Sequence, residues 1–153
     1  MLKSFDAGRT ARFICFYGWL VFALMVALGA LSILVHRHPG YAGNVDLTHW
    51  LIREQIETAI WTAVGLVLAL AALTAGKLSG ALVVTSSVLY LWRWYPFATA
   101  LKGGFVGIPQ FLWLTVTNGA DWPAGVLRNV LLPLVFVVSI GLVLWDVLSS
   151  KNG

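Results

Sequence analysis

Residues 13–35 read FICFYGWLVFALMVALGALSILV, 23 positions without a charge. A helix rising 1.5 Å per residue needs about 20 such positions to cross a hydrocarbon layer of roughly 30 Å. The stretch is long enough for one crossing, and three more apolar runs follow at 56–75, 78–101 and 126–148. The pattern predicts an all-α integral membrane protein with four transmembrane helices, at about 13–35, 49–75, 78–101 and 126–148. Together they form a single membrane domain over residues 1–153.

Composition agrees. Apolar residues make up 59% and charged residues 10%, against about 25% charged in soluble domains. A soluble chain this short could not hide so much apolar surface. The net charge of +4 comes from scattered Lys and Arg with no basic run. That argues against a nucleic-acid surface and for contact with anionic headgroups. The single cysteine, Cys15, lies inside the first run, where a lone thiol reads as a small apolar filler. Lys3, Arg9 and Arg12 ahead of an apolar stretch ending in Ala27-Leu28-Gly29-Ala30 resemble a secretory leader. The run continues to Val35, longer than a leader core, and is read as the first span.

The punctuation between runs is legible. His36-Arg37-His38-Pro39-Gly40 ends the first helix, and Thr48 is the expected N-cap of the second. Gly76-Lys77-Leu78-Ser79-Gly80 is a short hairpin, so helices two and three are expected to be antiparallel neighbours. Pro96 should bend the end of helix three and Pro133 should kink helix four. Residues 102–125 form the longest connection. Its apolar piece 111–116 is too short to cross, and with Phe105, Phe111, Trp113 and Trp122 it should lie on or dip into the membrane as an interfacial or re-entrant segment. Asp121-Trp122-Pro123 reads as the start of helix four. Three cations precede helix one and one closely follows it, which places both termini on the cytoplasmic side of a bacterial inner membrane.

Two groups of residues could carry chemistry. His36 and His38 end helix one, and His49, Glu54 and Glu57 begin helix two. His49, Arg53 and Glu57 share a helical face at four-residue spacing. Imidazole and carboxylate suit a transition metal, and facing histidines such as His36 and His49 suit haem. The competing reading is a boundary cluster in water, with Arg53 and Glu57 paired along the helix. Glu57 lies where the apolar part of helix two begins, so a buried proton carrier is a further reading. The second group is Trp92, Arg93, Trp94 and Tyr95, roughly 24 Å along the helix from Lys77. An aromatic belt with an arginine reaching for water explains it; a quinone or an anionic lipid head would use Arg93 as donor and the rings as walls. Thr85, Ser86 and Ser87 are expected to bond to their own helix or a neighbour, and Gly18, Gly29, Gly65 and Gly141 to permit close helix contacts. Nucleophile-elbow, zinc-protease, phosphate-loop and dinucleotide motifs are absent from the sequence.

Glu57 near the start of helix two, then Gly65, then the hairpin Ala75-Gly76-Lys77-Leu78-Ser79-Gly80-Ala81 leading into helix three, resembles the DoxX-like group of small four-helix bacterial membrane proteins. The aromatic connection 102–125 departs from that group's compact end. The resemblance implies a membrane partner of a redox enzyme, linked in some members to quinone chemistry. The functional expectation is a non-catalytic accessory or scaffold subunit of a larger respiratory or photosynthetic redox complex, bound to lipids and other membrane subunits and needing no cofactor. The alternatives are a small module binding metal, haem or quinone, and an oligomeric transporter or channel.

Overall fold

The computed structural model describes residues 6–35, 45–100, 103–118 and 123–151, and among these every regular element is helical. In order they are α1 (Ala7–Val35), α2 (Val45–Ala72), a 3-10 turn (Gly76–Leu78), α3 (Ser79–Thr99), a second 3-10 turn (Phe105–Gly107), α4 (Ile108–Asn118), α5 (Ala124–Val126), a π-helical turn (Leu127–Leu131) and α6 (Leu132–Lys151). Three stretches, Ala7–Leu31, Leu51–Ala72 and Ala124–Lys151, are long and apolar enough to cross a membrane. Helix α3 has 21 residues, but Thr85, Ser86, Ser87 and Arg93 dilute its apolar character.

The helix ends differ from the sequence reading, for local reasons. Helix α1 begins six residues early because Asp6 caps it: the Arg9 N–H donates to Asp6 Oδ1 at 2.8 Å, and Thr10 Oγ1 donates to the Asp6 carbonyl at 2.9 Å. Helix α2 starts at Val45, so Thr48 lies within it and is not its N-cap. It ends at Ala72 instead of Ala75, because the Leu73 and Thr74 N–H groups bond three residues back and tighten the chain toward the hairpin. There Gly76 takes a positive φ of 57°, which a side chain would resist. Pro96 sits in the last turn of α3, which continues to Thr99. The apolar piece of the long connection is helical, as α4, and exposes Trp113 and Val116, with Phe105 and Val106 exposed just ahead of it. Asp121 and Trp122 lie outside the described residues; Pro123 directly precedes α5.

Side chains are distributed inside out relative to a soluble protein. The buried positions of α2 are small or polar and recur at alternating spacings of three and four: Thr62, Gly65, Ala69 and Ala72. Gln55 and Thr58 extend the same line toward the start of the helix. Buried positions of α1 are Ala7, Ala11, Cys15, Gly18 and Trp19, and those of α6 are Leu132, Pro133, Phe136, Ser139 and Val143. The large aliphatic residues Leu24, Leu28, Ile56, Ile60, Val67, Leu134 and Leu148 point outward. Lipid tails are as apolar as leucine, so helices in a bilayer associate through close packing of small residues and interhelical hydrogen bonds. The buried seams and greasy exterior fit that solvent. The helices form a ring, α1 beside α2, α2 beside α3, α3 beside α6 and α6 back beside α1, with α1 and α3 also meeting across the diagonal.

The kink expected at Pro133 takes a specific form. The Leu132 N–H reaches five residues back, to the Leu127 carbonyl, and proline has no N–H to offer. The carbonyls of Arg128 and Asn129 thereby lose their usual α-helical donors. Helix α3 supplies replacements one turn apart. Tyr90 Oη donates to the Arg128 carbonyl at 2.6 Å, and Trp94 Nε1 donates to the Asn129 carbonyl at 3.1 Å.

Candidate functional site

The interior is filled in two layers. In one, Trp19, Phe22, Tyr90 and Phe136 interlock, with Trp19 5.4 Å from Phe136 and 5.7 Å from Tyr90, and Tyr90 4.5 Å from Phe136, between ring centroids. Trp19 lies so close to α2 that a Cβ at Gly65 would overlap its six-membered ring. The indole Nε1 is buried without a hydrogen-bond partner among the described residues. In the other layer Cys15 Sγ lies 3.2 Å from Ser86 Oγ and 3.6 Å from Ser87 Oγ; Ser86 Oγ donates to the Val83 carbonyl, so it accepts from the thiol, and Ser87 Oγ donates to the sulfur. The thiol is thus a polar joint between α1 and α3 as well as a filler. The remaining hydroxyls are used locally: Thr58, Thr62, Thr85, Ser86 and Ser139 each donate to a carbonyl of their own helix. Gln55 Nε2 crosses to the Val26 carbonyl of α1 at 3.0 Å. Close contacts form at Gly18, Gly29 and Gly65, whereas nothing approaches Gly141.

Charge collects at the end of the bundle where α2 begins and α3 finishes. Arg53 Nε donates to Glu57 Oε1 at 3.3 Å. Their side chains are 80% and 41% exposed, so Glu57 is a boundary carboxylate. Removing it, as Glu57→Gln, should change stability by less than about 0.5 kcal/mol. Unfolding by SDS in mixed micelles would check this; a loss of several times that size would show a second, buried partner. A shallow groove of about 420 Å³ runs along this face, lined by His49, Ile52, Arg53, Ile56 and Glu57. Glu54 is half-buried, and its backbone carbonyl accepts from Thr58 Oγ1 at 2.8 Å. His36 and His38 lie outside the described residues, and within the described set no three His, Cys, Asp or Glu gather as a metal site.

The aromatic–arginine segment is split around α3. Trp92 is 75% exposed on the lipid side. Trp94 turns inward to the Asn129 carbonyl, with Phe111 of α4 edge-on at 6.3 Å. Tyr95 meets Phe105 at 5.4 Å. Arg93 leaves all three and places its guanidinium 6.0 Å from the Trp61 ring centroid on α2, within cation–π reach. The four residues therefore do not wall a common slot. The pairing of Arg93 with Trp61 was missed in the sequence, although a signal existed: the two are equally far, sixteen residues, from Lys77 in the hairpin. Antiparallel helices folded about that point put them level. Comparison with known protein families, curated proteins and solved structures gives no match.

Proposed function

We propose that the chain is a non-catalytic accessory or scaffold subunit of a larger redox complex in a bacterial inner membrane, crossing four times with both termini cytoplasmic. The observation that carries this reading is the filled interior. Trp19, Phe22, Tyr90 and Phe136 occupy the middle of the ring, and the hydroxyls around them are bonded to their own helices. A transporter needs a polar path and a cofactor module needs a pocket between helices. Among the described residues packing takes that room, and chemistry is left to the outside: lipid-facing rings, boundary charges and the exposed rim of α4. The redox setting rests on the resemblance of Glu57, Gly65 and the 75–81 hairpin to the DoxX-like group.

Extraction in a mild detergent, followed by native electrophoresis and mass spectrometry, tests this. The chain should migrate with identified membrane redox subunits, and deleting it should lower the amount of that assembly. A lone chain carrying a stoichiometric metal, haem or quinone would overturn the proposal. So would an assembly that forms equally well without it.

A further inference from the structure

We propose that the seam between α2 and α3 at Trp61 and Arg93 binds the phosphate of one anionic phospholipid. The glycerol head of that lipid would lie in the groove beside His49, Arg53 and Glu57. The inference rests on the chain being membrane-embedded and is independent of the accessory role. Arg93 is roughly 24 Å along α3 from Lys77, just beneath the far headgroup layer. An arginine at that depth ordinarily extends its head to water. Here the guanidinium is held across the seam, over the Trp61 ring. Among the described residues the one ion pair on this face is Arg53 with Glu57, so Arg93 has no carboxylate within ion-pair distance there. Contact with a ring supplies no oxygen acceptor, so the five N–H groups of the guanidinium still need them.

Charge selects the class of lipid. Arg53 and Glu57 pair with each other and Glu54 lies two turns before Trp61, so among the described residues Arg93 is the charge level with the Trp61 ring, and one phosphodiester balances it. A zwitterionic lipid brings its own ammonium and leaves the site positive. The surroundings suit a lipid better than a free anion. The groove wall offers Ile52 and Ile56 beside the charged residues. Below Trp61, the exposed Val64 and Val67 continue the apolar surface of α2 on which acyl chains can lie. The bilayer supplies such molecules at that depth at high local concentration.

Native mass spectrometry of the intact chain, released from detergent and titrated with phosphatidylglycerol or phosphatidylethanolamine, tests the site. One phosphatidylglycerol should be retained in preference to phosphatidylethanolamine. Arg93→Gln should weaken that retention about tenfold, and Arg93→Lys should weaken it less, since the charge stays and the fork is lost. Lys77→Gln removes the same charge at the opposite end and should leave retention unchanged. Glu57→Gln frees Arg53 and should strengthen retention, an outcome that misfolding of the Arg93 variants cannot mimic. Equal retention of both lipids would overturn the proposal, as would equal losses in Arg93→Gln and Lys77→Gln. Arg93 would then be left for a carboxylate of a neighbouring chain. Free inorganic phosphate competing as well as the lipid would also overturn it.

Discussion

Gly65→Ala is expected to destabilise the bundle by about 1–3 kcal/mol, a large effect for adding one methyl group. The new Cβ would overlap Cζ2 and Cη2 of the Trp19 six-membered ring. The indole cannot simply move aside, because Phe22, Tyr90 and Phe136 hold it with centroids 6.1, 5.7 and 5.4 Å away. Either the rings repack together or α2 separates from α1. In a bilayer such a separation forfeits dispersion contacts that lipid tails replace only in part. SDS-driven unfolding in mixed micelles would measure the loss. Trp19→Phe alone should also destabilise, by leaving a gap where the larger ring lay. Combined with Gly65→Ala it should cost less than the sum of the two by about 1 kcal/mol or more, since the methyl then occupies vacated space. Strict additivity would mean that Trp19 and Gly65 do not confront each other.

The second large effect concerns the carbonyls released at Pro133. Tyr90→Phe keeps the ring against Phe136 and removes only the hydroxyl that serves the Arg128 carbonyl. Trp94→Phe removes the donor to the Asn129 carbonyl. Interhelical hydrogen bonds measured in membranes average about 0.6 kcal/mol and reach about 1.7. Leaving a buried acceptor without a partner costs about 1–3 kcal/mol. Each substitution should therefore lose about 1–2 kcal/mol, and the pair about twice that. Pro133→Ala discriminates this account from ordinary loss of packing. Alanine restores an N–H at position 133 and lets the helix close its own bonds through the π turn. In that background Tyr90→Phe should cost distinctly less than in the parent chain. An unchanged cost would show that the hydroxyl acts in some other way.

These two predictions show which parts of the molecule the sequence discloses. Apolar run length and the 76–80 hairpin place the helices to within a few residues at most of the described ends. Errors at the ends came from capping that no run length reports, such as Asp6 extending α1 by two turns. Pro133 announced an irregularity, since a missing N–H is a local fact. That Tyr90 and Trp94 repair it was hidden, because their partners lie more than thirty residues away on another helix. The same separation hid the contact of Gly65 with Trp19. For the candidate site, the Arg53–Glu57 pair was legible from four-residue spacing. The grouping of Arg93 with Trp92, Trp94 and Tyr95 was a neighbourhood in sequence only: consecutive residues on a helix diverge by about 100° and face different surroundings. Symmetry about Lys77 was the usable clue, and it names Trp61.

The ring order of the helices has a consequence for how the chain is made. Helix α1 packs most extensively on α6, so α1, which is made before α6, waits for it before its main interface can close. Until α6 enters, Gly18 lacks Val135 and Phe136 beside it, and Trp19 lacks one wall of its aromatic cage. Without α6, the face of α1 that carries Gly18 and Trp19 thus lies open, and the interior is sealed only when α6 docks.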